Sequence, residues 1–519
     1  MARNGRWQGR GVTDILKSVK NIKALRLALL LAVACAAGER ADGQAAGAGA
    51  PAQMVQLSVV ALDSRGQPVG DLTAGDFEIS DSGKPQKVAI FRHADGRLQQ
   101  APPLAPGEYS NRAAGNLPYA TVILLDLLNE AFGARGEAST YLIDGLKSVE
   151  SSDTLYFYLL TADAKLYPVR GLPGAENEAP APGGVPWTKD AKPLVEGALS
   201  KMFQLRPTAT DIGTRVQQTF AALRSLGSML AGIPGRKNIV WITRGVPISL
   251  AVSSQSNIGS GEPLDFTPLL RRLCLILGRF NVAVYPVMQV PPGMGGASDS
   301  TGVSGEEGLR QIADWTGGPA KATNSISSTL RQAMNDVRTS YQLGYYPSAA
   351  NWDGKFHSLR VACARKGVKI QAKTGYYALP DKATDEQEAL KVAVMTAFDA
   401  SEIGLRCTMA PSPMGGSVVR FTLRVDPSDI RITQQGDRFA SHLDAQMAGY
   451  LPSGEPRLAP ANPLNPSWSA DELAKAKTDG ILWTQDLNPA DAGEKIRFLV
   501  YDRDSHAIGT LTIPLKKAK

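Results

Sequence analysis

Cysteine and histidine are scarce, four of each in 519 residues, and that scarcity removes several chemistries at once. Cys35, Cys274, Cys363 and Cys407 contain no CxxC pair, and an odd number remains once Cys35 is set aside with the N-terminal segment described below. Neither a metal knuckle nor a disulfide framework is indicated. Buried free thiols are the expectation, with a bridge between Cys363 and Cys407 as the alternative. His93, His357, His442 and His506 show no pairing at ligand spacing. HExxH, a P-loop and GxSxG are all missing. A Ser-His-Asp site needs a His close to its nucleophile, and only His357 falls within the chain's central unit, on an edge-like strand.

Long apolar runs and a cationic surplus are lacking as well. The most apolar run, LALLLAVACAA from Leu27 to Ala37, is eleven residues, well short of the ~20 that cross a bilayer. No transmembrane span is expected. The formal charge of +7 is concentrated at the start of the chain, where residues 1–45 hold eight Lys or Arg and three acids. Without them 48 basic residues face 46 acidic ones. A nucleic-acid partner is excluded on that balance, since displacing phosphate counterions takes a surplus of cations.

What the N-terminus does hold is a basic stretch up to Arg26, the apolar run, and mostly small residues through Ala50. That is the layout of a secretory signal, so residues 1–45 are expected to be a signal peptide and the protein to be exported, periplasmic or extracellular. Ala32-Val33-Ala34-Cys35 is also a degenerate lipobox, which leaves a lipid anchor on Cys35 as an alternative.

Beyond it, apolar content of 43% and charged content of 20% describe ordinary globular protein. Val55, Leu57 and Val59 alternate with polar partners, and Phe77–Ile79 and Val88–Phe91 follow between Gly- and Asp-rich turns. A small β domain is expected over 54–98. Residues 100–117, rich in Pro, Gly and Ala, suggest a connector. From Tyr119 the pattern changes. YATVILLD, TLYFYLLT, NIVWIT and VAVYPVM are short apolar runs that suit strands buried on both faces. Helical stripes lie between them, the clearest being Ile212, Val216, Phe220, Leu223, Leu226 and Leu230, with Thr210 or Asp211 as cap. Alternation of this kind predicts an α/β fold, a doubly wound and mostly parallel sheet, over 118–380. YQLGYY, SLRVACA and VKIQAK are expected to close that unit as an antiparallel extension. After a helix beginning near Asp385, period-two patterns at 419–425, 496–500 and 508–513 predict a second β-rich domain over 385–519. Two acids at Asp502 and Asp504 have Ca²⁺-loop spacing but suit a strand-to-strand turn better.

The residue on which function turns is Asp126, at the C-terminal end of the first apolar strand, where open α/β sheets gather their ligands. The stretches DLTAGDFEISDSGKPQKVAIF, VILLDLLN, GRKNIVWITRG, NVAVYPV, LRQIADWTGG and the pair YQLGYYP with TGYYA run in order from Asp71 to Ala378. In that order they resemble a von Willebrand factor A (VWA) domain protein of the VWFA-related family of secreted acidobacterial proteins. The resemblance implies a VWA-like, Rossmann-type sheet flanked by N- and C-terminal β-sandwich-like domains, the latter Ig-like. It also implies a divalent-cation site made from Asp-x-Ser-x-Ser, a Thr, and the Asp of a Thr-Asp-Gly. Mg²⁺ seeks hard oxygens in octahedral array, which accounts for those residue types.

Here the site is degenerate. Asp126 stands, but Leu128 and Glu130 replace the two serines, the Thr falls at Thr208 or Thr210, and Thr243-Arg244-Gly245 puts a cation where the last Asp belongs. A fixed guanidinium and a metal a few ångströms apart repel by several kcal/mol even at an effective dielectric of about 20. Arg244 is therefore expected to pair with Asp126 and take the cation's place, with Arg244 in solvent and Asp126 as a turn or helix-capping carboxylate as the alternatives. Asp126, Asn129, Glu130, Thr208, Thr210 and Arg244 form the expected binding crevice. No cofactor and no catalytic residue is assigned. Asp126, Glu130 and Thr210 are the weaker alternative for a bound Mg²⁺. The functional expectation is a non-catalytic binding or assembly protein whose crevice and loops 171–187, 251–262 and 291–305 meet a protein or cell-envelope partner. A cation-dependent adhesin with a non-standard metal site, and a hydrolase using Asp126 or Glu130, are the alternatives.

Overall fold

A computed structural model describes residues 54–515, apart from 96–103, 106, 113–118, 130–141, 144, 147–153, 174, 176–178, 180–186, 203–204, 206–210, 234, 251–263, 289–304, 320–323, 348–351, 380–382, 397 and 452. The expected signal segment, Cys35, Glu130, Thr208, Thr210 and most of the three named loops lie outside the described residues.

The apolar runs fold as a five-stranded sheet of β1 (Ala120–Asp126), β2 (Leu155–Leu160), β3 (Leu166–Arg170), β4 (Lys237–Thr243) and β5 (Val282–Met288). Its order is β5-β4-β1-β2-β3, parallel throughout except for the antiparallel edge strand β3. All seven residues of β1 and of β4 are buried, because helices cover both faces. Side chains alternate between two cores. Val122, Leu124, Tyr158, Ile239, Trp241 and Val284 meet α2 (Ile212–Leu230), α3 (Thr267–Arg279) and α4 (Glu306–Thr316). Ile123, Leu125, Phe157, Val240 and Tyr285 meet α1 (Trp187–Met202) and α5 (Ile326–Arg338). Asp211 caps α2 through a bond to Thr214 N–H, and left-handed Gly317 ends α4. The chain leaves β1 toward β2 on one side and β4 toward β5 on the other, so the ends of β1 and β4 flank the sheet's switch point.

The foot of β4 is unusual for its buried cations. Arg236, fully buried, donates to Asn238 Oδ1 (3.0 Å), Ser58 Oγ (2.9 Å), the Tyr285 hydroxyl (2.9 Å) and the Gly317 carbonyl (2.7 Å). The Tyr285 hydroxyl in turn donates to Asp336 at 2.5 Å. Lys237 places its ammonium on the Ile233 carbonyl (2.6 Å), and Asn238 donates to Ala333 O. The polar run GRKN thus ties β4 to α5, to the end of α4 and to the first strand of the chain.

The N-terminal segment does not fold by itself, contrary to the small domain expected over 54–98. Val55–Leu62 pairs with Thr339–Tyr345 and Lys369–Gln371, Ile90–Asp95 pairs with Thr339–Tyr345, and Phe77–Asp81 pairs with Phe356–Cys363. The segments expected to extend the parallel sheet therefore build a separate antiparallel pair of sheets with the N-terminus. The reason is core size. Val55, Leu57, Val59, Phe77 and Ile79 are covered only when Tyr341, Leu343, Tyr345 and Leu359 supply the other half of the cluster. Tyr341 is its pivot, packed on Phe77 and His93 while its hydroxyl accepts from Leu72 N–H and donates to Val69 O.

The expected connector likewise contributes a strand, Glu108–Ser110, on the edge of Leu405–Pro411, Val419–Val425 and Ile481–Leu487. Asn111 then locks it by donating to Ala400 O and Ile403 O and accepting from Leu405 N–H. That sheet shares one core with a second, in which Leu443–Tyr450, Lys495–Asp502 and Ile508–Pro514 lie side by side. Residues 51–519 cluster as a single compact unit. Cys274, Cys363 and Cys407 are free thiols, Cys363 and Cys407 belonging to different sheets. Asp502 accepts from Ser505, Asp504 N–H and Arg431 N–H, the turn role. No helix among the described residues is long and apolar enough to cross a membrane.

Two measurements check this account. Tyr341→Phe leaves a buried N–H and carbonyl without their partner and should lower stability by about 1–3 kcal/mol in urea denaturation. Lys237 is held down to about 7 by burial, against 10.5 when exposed. Between those values the unfolded chain binds the extra proton, so stability rises with pH across the window and is flat below about 7 for this group. Lys237→Met should abolish that rise, and an unchanged pH profile would contradict it.

Candidate functional site

Asp126 stands one step beyond the Leu125–Ile242 pair, beside Thr243 at the end of β4. It points to the same face as Leu124 and Trp241, toward α2, and is 1% exposed. Its Oδ1 accepts from Leu128 N–H (3.1 Å) and Asn129 N–H (3.0 Å), which closes the turn after β1. Its Oδ2 accepts from Asn129 Nδ2 (2.8 Å), Thr243 Oγ1 (2.8 Å) and Trp241 Nε1 (3.3 Å). Five donors thus meet a group with about four lone-pair directions.

The donors are themselves held in place. Asn129 Nδ2 also reaches Thr219 Oγ1 (2.8 Å), whose hydroxyl donates back to Arg215 O on α2 (2.8 Å). Thr243 Oγ1 accepts from Gly245 N–H (3.1 Å). Gly245 has φ +93°, and a Cβ there would stand 3.0 Å from the backbone of Gly305, just before α4. Only glycine suits that close left-handed turn. The loop leaving β4 is therefore pinned against the start of α4 while its threonine serves the carboxylate of β1.

The expected ion pair between Asp126 and Arg244 does not form. Every donor on Asp126 is neutral, and no salt bridge joins the two residues among those described. The physical reason is supply. A buried carboxylate can be satisfied by hydrogen bonds from Asn, Thr, Trp and backbone without importing a second desolvated charge. Of the expected crevice residues, the structure brings Asp126 and Asn129 into direct contact, while Arg244 sits partly exposed in the turn after β4. Burial pushes the Asp126 carboxyl above the ordinary range, and the bonds from Asn129, Thr243 and Trp241 bring it only part of the way back.

Thr219, Trp241 and Thr243 are the working residues that sequence reasoning passed over as site members. One signal was present: Trp241 and Thr243 fall two apart on a strand with no polar partner of their own, and a buried indole N–H seeks an acceptor. Mg²⁺ coordinates oxygens at about 2.1 Å in strict geometry. Here N–H and O–H donors occupy both Asp126 oxygens, so the arrangement does not fit that ion. Acid–base chemistry has no better footing at a carboxyl closed off by β4, α2 and its own turn.

No family model matches the chain, and no curated protein matches it. Among solved structures it is similar over 60% of its length, at 10% identity and a TM-score of 0.26, to 76% of a von Willebrand factor type A protein from Catenulispora acidiphila. It is similar over 53%, at 11% identity and a TM-score of 0.22, to the human COPII-coat protein Sec24c, of which it spans 46%. Likenesses this distant carry no argument about function.

Asp126→Asn sets an amide NH₂ against donors on one oxygen or the other. It should lower stability by about 3 kcal/mol in chemical denaturation. A change under half of that would show the five bonds to be incidental.

Proposed function

We propose that this is an exported, non-catalytic binding or assembly protein. Its von Willebrand A-like α/β unit, set among β-sandwich-like sheets, meets a protein or cell-envelope partner at the strand-end face without an intervening metal. The observation that supports this most strongly is the closed state of Asp126, which is spent on Leu128, Asn129, Trp241 and Thr243 and so is available neither to a cation nor to a substrate. What the acid contributes instead is a rigid frame. It fixes the relative height of the β1 and β4 ends, and with them the turn that carries Arg244.

The signal-like N-terminus supplies the export part of the reading, and the near balance of charge after residue 45 supports a partner other than nucleic acid.

Isothermal titration with Mg²⁺, Ca²⁺ and Mn²⁺, alongside capture of partners from envelope extract with and without chelator, tests the reading. No cation heat and a chelator-insensitive partner are expected. Cation binding that Asp126→Ala abolishes would replace this reading with a cation-dependent adhesin.

A further inference from the structure

A well-formed cavity lies away from Asp126. The helices α2 and α3 precede β4 and β5, and α4 follows β5, so all three run from the Asp126 end of the sheet to its foot. Their last turns, at Ala231, Arg279 and Trp315, line a cavity of about 180 Å³. The remaining wall includes Met54–Gln56, Trp352, Glu402, the stretch from Lys373 to Tyr377, α6 (Ala383–Met395) and the turn at Tyr501–Ile508.

Its lining combines aromatic rings with cations. The Arg271 guanidinium lies 4.0 Å from the centre of the Tyr377 ring, and Trp315 meets that same ring edge-on at 5.3 Å. On the neighbouring residue, Lys373 Nζ is 5.8 Å from the Tyr376 ring, which Trp352 flanks at 5.9 Å. Two buried donors at this wall, Arg271 Nε and Trp352 Nε1, have no acceptor among the described residues. Lys373 is lowered to about 8 by burial, with no carboxylate among the described residues offsetting the loss of water.

The acids of the cavity are already engaged. Glu402 accepts from Ile508 N–H at 2.9 Å and is pushed up by burial, and Glu386 faces Tyr501, whose hydroxyl is pushed up by burial first and by that carboxylate second. Tyr501 also meets His506 Nδ1 at 2.5 Å, and His506 holds a left-handed φ of +61°. Arg271 also feels the Asp265 carboxylate, but its Nε, Trp352 Nε1 and the Lys373 ammonium still call for an acceptor, and beside two cations one that carries negative charge fits best. Size narrows the class further: a 150 Å³ apolar cavity accommodates benzene, whereas drug-sized ligands need about 300 Å³ or more.

We propose that this cavity is a binding site for a small monocarboxylate with a single-ring body. Arg271 and Lys373 take the carboxylate, Trp352 Nε1 adds a donor, and the ring stacks among Trp315, Trp352 and Tyr377. Such a ligand would wedge α3 and α4 against α6 and the Tyr501–Ile508 turn, joining the foot of the parallel sheet to the C-terminal sheets. It acts independently of the strand-end face.

The test is calorimetric titration of the purified protein with benzoate, phenylacetate and cyclohexanecarboxylate, with benzamide as the uncharged control. Saturable binding of at least one acid is expected, with benzamide weaker by about tenfold or more. Arg271→Gln and Lys373→Met should each weaken the acid by about tenfold, while Arg271→Lys restores part of the loss. Circular dichroism of each variant separates lost binding from lost folding, and the probe comparison on the unaltered protein needs no variant. Absence of binding by all three acids at millimolar concentration overturns the proposal. Equal binding of benzoate and benzamide overturns it too.

Discussion

A buried carboxylate satisfied entirely by neutral donors is the constraint on which the centre of this molecule depends. Asp126 ends the middle strand of the parallel sheet, and its oxygens gather the turn after β1, the indole and hydroxyl of β4 and, through Asn129, the Thr219 hydroxyl of α2. An ionised group so deeply placed is tolerable only when its lone pairs are filled. Because they are filled from the turn after β1 and from β4, with α2 tied in through Asn129, the carboxylate sets where those elements stand relative to one another. Asp126, at the switch point, is thereby a closed joint rather than an open coordination site.

Polar residues recur as internal struts elsewhere. Arg236 and Asn238 brace the foot of β4 as Asp126 braces its top. Asp81 does the same among the N-terminal strands, accepting from Tyr345 (2.8 Å) and Tyr376 (2.9 Å) and contacting His357 Nδ1 (3.1 Å). His357, expected on an edge-like strand, is 9% exposed and serves this cluster. Asp429 takes both Arg92 (2.8 Å) and Arg112 (2.9 Å), so segments far apart in sequence meet on one carboxylate. Polar side chains that carry the marks of chemistry in the sequence are largely spent on holding a many-sheeted chain in register.

Periodicity made the α/β part legible because it is a local property. The runs at 120–126, 237–243 and 282–288 are apolar on both faces, and the stripe from Ile212 to Leu230 repeats for five turns. Strand partnership is not local. Val55–Leu62 pairs with a strand nearly three hundred residues later, and nothing in either stretch names the other. Leu443–Tyr450 was hidden for a different reason: Leu443 and Ala445 face one core while Ala448 and Tyr450 face another, so no single alternation runs through it. Glu108–Ser110 sits in a Pro- and Gly-rich stretch that composition assigns to a linker. At the site, Asp126 and Asn129 were legible from motif position. Thr219 was not, because its relevance comes from a helix face that faces Asn129 only after the sheet has formed.

Asp126 acts as a structural joint, both of its oxygens taken by neutral donors. The most direct measurement is anomalous scattering from crystals grown in Mn²⁺. The account predicts no metal peak at Asp126, with the Asn129 amide and the Thr243 hydroxyl still on its Oδ2. A peak about 2.1 Å from that oxygen, with those two side chains swung away, would contradict it.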